Sequence, residues 1–574
     1  MNKKWILKQN DDTEAVNSLS ETLNVDPIVS ELLIQRGITN YDEAKAFFRP
    51  QLDQMYDPFL MKDMDKAVER LQKAIENSEK MLIYGDYDVD GTTSVAMTYS
   101  YLKQFNSNID YYIPDRYTEG YGISTKGVDY AIENDCTLVI ALDCGIKAND
   151  KIDYANEKGI DFIICDHHLP GDEIPNAVAI LDPKQEGCNY PFKELSGCGV
   201  GFKLLHAFMI KLDLQFEGLL RYIDLVATSI ACDIVPITDE NRIFAYYGLK
   251  LINANPSIAF QALIDVSDMS GRQVDINDMV FRIGPRINAA GRIESGNRAV
   301  ELLITTDKEL ATELASAIND LNNERKEFDK SITENALQMI EDNDELINKK
   351  STVLFNPEWH KGVIGIVASR LMEHYYRPTI LLTENDGLVS GSARSVNGFD
   401  LYAAIEKCGD LLEGYGGHMY AAGLTLKPEN VPLLQERFEK IVAETITEEQ
   451  LTPYLEVDKE IKLEDITPKL FRILNQFQPF GPDNMRPLFI SNNVQDIGWS
   501  KVVGKNEEHL RIDIREDNNK NRYNGIAFRQ ADKLDIVKSD TNFDVCYVID
   551  ENHHRGRVSL QLRVKDIREG GSQD

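Results

Sequence analysis

The chain has 574 residues, with 62 Lys and Arg against 94 Asp and Glu, a formal net charge of -32. At 43% hydrophobic and 27% charged residues, with 24 Tyr and 22 Phe, it has the composition of a folded globular protein and not of a disordered chain. No stretch approaches the ~18–20 apolar residues of a membrane-spanning helix, and residues 1–14 carry charge without the apolar centre of a secretory signal.

At roughly 100–200 residues per domain, about three to five domains are expected. Residues 1–75 read as a helical segment broken near Pro27, Pro50 and Pro58. A strand–helix alternation follows. The apolar runs 81–84, 137–142 and 161–165 each end in acidic residues, with helical patterns between them. This predicts βαβ units and a parallel sheet, whose ligands collect at the carboxyl ends of the strands. Residues 301–348 combine i, i+3, i+4 apolar spacing with many charges and read as a long connecting helix. Strands at 352–355 and 378–382, helices near 363–373 and 431–444, and a Gly-rich stretch at 414–423 come next. From about residue 454, short strands with polar turns (510–514, 523–528, 543–549 and 558–564) suggest a small β-barrel or sandwich. The fold class is α/β. A parallel-sheet domain is expected at 76–300, a connecting helix at 301–350, a smaller α/β domain at 351–448 and a β-barrel domain at 449–574.

Eight cysteines form no C-x-x-C pair, which supports neither a zinc ribbon nor a thioredoxin motif and reads as free thiols of a reducing cytoplasm. Cys144, Cys165 and Cys232 read as small packing residues. The global charge disfavours non-specific nucleic-acid binding, but it leaves room for a local basic channel.

The chemistry concentrates in four places. Asp86-Tyr87-Asp88-Val89-Asp90-Gly91 crowds three carboxylates directly after a strand. Alone, this is equally a solvated acidic turn or a site for a hard cation. An EF-hand is excluded, because the twelfth loop position falls on Met97. Thr92, Thr93 or Ser94 is expected to cap the helix that follows. Asp143 stands singly after the second run. Asp166-His167-His168 follows the third, and adjacent imidazoles point in different directions, so one can bind metal while the other meets substrate. Asp233 closes the apolar stretch 225–232. Together, many carboxylates with few imidazoles suit two Mg²⁺ or Mn²⁺ ions about 3.5–4 Å apart, an arrangement used for phosphoester hydrolysis. Neither H-E-x-x-H nor a P-loop is present.

In chain order, these four places resemble the motifs of the DHH phosphoesterase superfamily. Ile113-Pro114-Asp115-Arg116 with Glu119-Gly120-Tyr121-Gly122, and Gly284-Pro285-Arg286-Ile287-Asn288-Ala289-Ala290-Gly291-Arg292, resemble its RecJ branch. Trp359-His360-Lys361-Gly362-Val363-Ile364-Gly365, Ser390-Gly391-Ser392-Ala393-Arg394-Ser395 and Gly416-Gly417-His418 resemble the DHHA1 lobe. The resemblance covers residues 80–425. It implies a 5′→3′ exonuclease that hydrolyses single-stranded DNA to mononucleotides in recombination and repair. It also implies two lobes joined by a long helix, with an OB-fold on the C-terminal side.

By the same resemblance, Asp86, Asp88, Asp90, Asp143, His167 and Asp233 hold two Mn²⁺ or Mg²⁺ ions, with Asp143 bridging. His168 contacts the scissile phosphate or protonates the leaving oxygen. Ser392, Arg394 and Arg116 fall to a terminal 5′-phosphate, Arg286 and Arg292 to the DNA backbone, Tyr121 to a base or the narrowing of the entry, and His418 to a phosphate. His360 and Lys361 are further candidates. Residues 281–300 hold Arg282, Arg286, Arg292 and Arg298 against Glu294 alone, a local net of +3. Ser392 and Arg394, two apart, face one side of an extended segment. One departure stands out: in Pro479-Phe480-Gly481-Pro482-Asp483-Asn484, Asp483 replaces the second Gly of a family Gly-x-Gly-Asn loop. A single-strand binding protein and a helicase are implied as partners, with a monomer and a cytoplasmic location expected and no membrane partner. Competing readings are a phosphodiesterase on short oligonucleotides or cyclic dinucleotides, a non-catalytic scaffold, and a manganese pyrophosphatase. The first needs only two lobes, the second would have lost metal ligands, and the third would lack the RecJ-type segments.

Overall fold

The computed structural model describes residues 3–9, 12–385, 387–516, 521–554 and 557–571. The chain forms two units, Leu52–Leu451 on one side and Met1–Gln51 with Thr452–Asp574 on the other.

In the first unit, five strands make a parallel sheet: β1 (Met81–Gly85), β2 (Ile109–Tyr112), β3 (Leu138–Leu142), β4 (Asp161–Cys165) and β5 (Ala179–Leu181). Their order is β2-β1-β3-β4-β5. β1 and β3 are buried along their whole length, which explains continuous apolar runs in place of alternation. The chain leaves β1 for the edge at β2, then returns to the other side of β1 at β3. That reversal opens a crevice at the carboxyl ends. Register does the rest. Gly85, Leu142, Cys165 and Leu181 are successive cross-strand partners, so Asp86, Asp143, Asp166 and Asp182 emerge at one level.

Helices α1 (Val89–Leu102), α2 (Gly197–Lys211), α3 (Ile223–Cys232) and α4 (Gly284–Ile293) belong to this lobe. α1 begins one turn earlier than the sequence suggests. Its cap is Asp88, whose side chain accepts from the Gly91 amide. Thr92 and Thr93 therefore lie inside the helix and bond back to the carbonyls of Asp88 and Val89. The connecting helix α5 runs over Lys308–Glu341, 34 residues or about 50 Å of rise. The second lobe is a mixed sheet of β6 (Thr352–Phe355), β7 (Thr379–Asn385), β8 (Leu388–Arg394), β9 (Leu412–His418) and β10 (Ala421–Leu426), with α6 (Ile364–Tyr375) beside it. The Gly-rich stretch is the β9–β10 hairpin.

The second unit joins the two ends of the chain. Residues Phe489–Asp496 pair with both Phe543–His554 and His509–Glu516, which closes an OB-like ring. The N-terminal residues are not a free-standing helical segment. Lys4–Leu7 is a strand parallel to Tyr454–Val457, and Leu19, Val29, Leu32 and Leu33 share a core with Phe477, Phe489 and Tyr547. Residues 52–75, read with them in the sequence, belong to the first unit.

The Asp483 departure preserves the turn. Asp483 takes φ 56°, the left-handed conformation that glycine adopts without cost, while Asn484 ties the loop to the carbonyls of Phe477 and Pro479. Asp is among the few residues that tolerate this region. Asp483→Gly is expected to leave the fold intact and to raise stability by up to about 1 kcal/mol, read as a higher urea midpoint.

Candidate metal centre and phosphate pocket

Three aspartates from strand ends and helix termini converge on one imidazole. His167 Nε2 lies 3.2 Å from Asp143 Oδ1, 3.5 Å from Asp233 Oδ2 and 3.7 Å from Asp90 Oδ2. Asp86 and Asp90 are 0% and 2% exposed, Asp143 2% and His167 6%. Neither ring nitrogen of His167 makes a hydrogen bond, and Asp86 Oδ2 has no partner either. Ligand atoms of Asp90, His167 and Asp233, and of Asp143, His167 and His168, lie within 4.8 Å of one another.

The local backbone explains how this density is reached. Gly91 packs on the Asp86 backbone so closely that a Cβ would sit 2.3 Å from the Asp86 carbonyl oxygen. Gly197 does the same for Asp143, where a Cβ would come within 2.6 Å of the Asp143 Cβ. Asp143 itself adopts φ 59°, which turns its side chain off the end of β3. Asp90 has a built receptor. Its carboxylate accepts from the amides of Gly197 (2.7 Å) and Cys198 (2.8 Å) and from the Ser229 hydroxyl (2.7 Å). Sequence reading missed this clamp. The only local signal was Ser196 before a glycine-rich helix start, and Ser196 is indeed the cap of α2.

The electrostatics describe a site built for cations. Burial, then the charge of neighbouring aspartates, pushes Asp86, Asp143 and Asp233 well above the usual carboxylate range, and Asp88 upward by the same causes. Carboxylates that resist ionising together are stabilised when divalent cations replace the protons. The donor set, oxygen-rich with one imidazole and with orphaned buried donor atoms, fits Mn²⁺ or Mg²⁺.

His168 is held separately. Its Nδ1 meets Asp166 Oδ1 at 2.7 Å, and Asp166 also accepts from the amides of His167 and Ile146. Burial works against both charges, yet their mutual hydrogen bond and attraction hold Asp166 at about 2 and lift His168 to about 9. Asp166 is thus an orienting carboxylate, and Nε2 of His168 is left to face Tyr121 Oη at 3.2 Å. Tyr121 is 53% exposed, so it is no core residue. It stands between two glycines of positive φ, Gly120 and Gly122. Beside it, a cleft of about 370 Å³ is lined by Lys147, Lys151, His168 and His418, with Gly417 at its edge. Gly417, however, makes room for the hairpin itself, since a Cβ there would come within 2.4 Å of the Ala421 carbonyl oxygen and 2.5 Å of the Ala422 Cα.

A second cluster is cationic. Ser392 and Arg394 share one face of β8, with Arg394 Nη1 3.2 Å from Ser392 Oγ. Gly365, in the first turn of α6, leaves space there, since a Cβ would come within 2.8 Å of Ser392 Oγ and 3.1 Å of Arg394 Nη2. Arg292 bonds the Gly362 carbonyl at 3.0 Å. Burial, then Arg116, Arg325 and Arg394, lower it to about 10. Arg116 lies 3.9 Å over the Tyr87 ring and bonds the Gly291 carbonyl, so α4 is fastened to the first acidic loop. Arg286 differs from its expected role. It is buried, and its guanidinium bonds Asn319 Oδ1 and the carbonyls of Arg282 and Val266, which makes it a tie between α4 and α5.

A parallel sheet with acidic residues at its carboxyl ends, a long helix and a mixed-sheet lobe carrying a Ser–Arg cluster define a DHH-type phosphoesterase. Family models agree: the DHH family N-terminal domain matches residues 80–230, the DHHA1 domain 348–444 and the RecJ OB domain 457–566. The chain is 37% identical over 567 residues to the single-stranded-DNA-specific exonuclease RecJ of Bacillus subtilis, covering 98% of this chain and 70% of that protein. It is 32% identical over 564 residues to the Escherichia coli protein of the same name, covering 94% and 96%. The crystal structure of RecJ with Mn²⁺ from Thermus thermophilus superimposes with a TM-score of 0.85 at 26% identity, covering 99% of this chain and 80% of that one. The chain belongs to the RecJ family.

Proposed function

We infer that this chain is a single-stranded-DNA-specific exonuclease that removes mononucleotides from the 5′ end with two Mn²⁺ or Mg²⁺ ions. The observation that carries the reading is the pairing of the carboxylate centre around His167 with the cationic pocket at Ser392 and Arg394 in the same unit. Asp86, Asp88, Asp90, Asp143, His167 and Asp233 are the proposed ligands. When bound, the ions polarise the scissile phosphate and acidify the attacking water. The protein's own groups position the strand. Arg394, Ser392 and Arg116 take the terminal 5′-phosphate, whose charge of about -2 at neutral pH exceeds that of an internal diester. His168, an imidazolium at neutral pH with one N–H toward Asp166, presents Nε2–H to the substrate and can give that proton to the leaving oxygen, becoming the neutral imidazole. Tyr121 narrows the entry against duplex, and His418 contacts a phosphate from β9.

Among the described residues no helix is long and apolar enough to cross a membrane. The eight cysteines are free, seven of them buried, in keeping with a reducing cytoplasm. A single-strand binding protein and a helicase are the proposed partners of a monomeric enzyme working in repair and recombination.

The test uses one single-stranded oligonucleotide labelled in turn at each end, with Mn²⁺ or Mg²⁺, beside a blunt duplex and a dinucleotide. Stepwise mononucleotide release from the 5′ end, without attack on the duplex, is expected. Cleavage of the dinucleotide alone would replace this reading with a small-substrate phosphodiesterase. Arg394→Gln is expected to erase the preference for a 5′-phosphorylated over a 5′-hydroxyl strand, raising KM about tenfold or more on the former.

A further inference from the structure

The connecting helix α5 carries a cation that the fold leaves without a partner. Arg325 is half-buried, and its Nε is fully shielded yet makes no hydrogen bond. Among the described residues its guanidinium forms no ion pair. The carboxylate whose charge acts on it, Asp329, is already held by Arg370 through two bonds of 2.7 Å. Arg370 adds a positive charge to it, and Arg325 in turn opposes the charges of Arg286, Arg292 and Lys326. Three residues earlier, and so on the same helix face, Asn322 is 0% exposed with neither amide atom hydrogen-bonded.

Packing fixes where this turn lies. Phe328 stacks on His360 with ring centroids 4.8 Å apart and planes 19° apart. Asn335 accepts from the Trp359 indole at 3.0 Å. α5 is therefore docked on the segment Trp359 to Gly365, whose glycines shape the space beside Arg292, Ser392 and Arg394. Arg325 sits one turn before Phe328 along that seam. Burying unpaired guanidiniums together is unfavourable unless an anion joins them.

We propose that Arg325 is a further phosphate-binding residue, contributed by the connecting helix to the pocket that receives the terminal 5′-phosphate of the strand. The proposal rests on the 5′-terminal reading above and extends it, because it gives the helix between the lobes a direct part in recognising the end. A planar fork suits bidentate contact with phosphate oxygens.

The experiment measures binding of 5′-phosphate and 5′-hydroxyl oligonucleotides by anisotropy over a salt series. The full-length protein carries Asp143→Ala so that the strand is not consumed. Arg325→Gln is expected to weaken binding of the phosphorylated strand about tenfold or more and to lower its salt slope by about 0.7, while Arg325→Lys recovers part of both. The hydroxyl strand should change far less. The melting temperature of the strand-free protein should stay level or rise, since the folded chain gives Arg325 no partner; a structural arginine would lower it. Equal losses on both strands would assign Arg325 to an internal phosphodiester and overturn the proposal, as would unchanged binding. Arg394→Gln runs beside it. If Arg394→Gln discriminates between the strands and Arg325→Gln does not, only this proposal fails; if neither does, the 5′-terminal reading itself fails.

Discussion

Asp143→Asn is expected to lower kcat/KM on single-stranded DNA by about 10³-fold or more while making the metal-free protein more stable. The two effects have one cause. Asp143 is 2% exposed, sits 3.2 Å from His167 and feels the charges of Asp90, Asp88, Asp233 and Asp166. In the absence of cations this crowding opposes folding, so replacing one carboxylate by an isosteric amide relieves it. With cations present the same carboxylate is a proposed ligand. Losing a ligand there removes several kcal/mol of transition-state stabilisation. Thermal melts of wild type and variant, each with EDTA and with Mn²⁺, check both halves. Wild type should gain a large Mn²⁺-dependent rise in Tm, and the variant should start higher and gain less. A variant that melts lower in EDTA would contradict the account of repulsion.

Lys203→Met is expected to destabilise the first unit by about 3–5 kcal/mol. Lys203 and Glu240 form an ion pair whose side chains are both 0% exposed, with Nζ 2.7 Å from Oε1. Both members have further partners. Glu240 also accepts from the Tyr56 amide at 3.0 Å and the Tyr190 hydroxyl at 2.5 Å, and Lys203 donates to the Tyr56 carbonyl at 2.7 Å. Removing the cation strands a buried carboxylate, which costs more than the pair itself contributes. The double variant Lys203→Met with Glu240→Leu should therefore recover most of the loss. Urea unfolding of the three proteins measures the coupling directly. Because Lys203 lies on α2, whose first turn clamps Asp90, the single variant should also weaken Mn²⁺ binding. The double variant should restore it.

These effects show which parts of the molecule were written locally. The strand ends were legible because an apolar run cut off by a carboxylate leaves a signature within a few residues. Asp86, Asp143 and Asp166-His167-His168 were found that way, and the long helix Lys308–Glu341 lies within the 301–348 stretch read from apolar periodicity. Short strands were harder. Ile109–Tyr112 and Ala179–Leu181 are only 4 and 3 residues long, too short for a pattern to stand out.

By itself, then, the sequence determined the chemistry: a carboxylate-rich centre with two imidazoles, arranged on a parallel sheet. Tertiary structure alone decided how those groups are held. The Asp90 clamp joins residues 107 to 139 positions apart, and Tyr121 meets His168 across 47. Arg286 turned from a substrate contact into a tie between helices, and the first residues of the chain joined the last in one core. None of these has a local signal, because a hydrogen bond or a packing contact depends on where two distant segments are brought together. A motif specifies which side chains are available; the register of β1, β3 and β4 and the close approaches at Gly91 and Gly197 specify what they face.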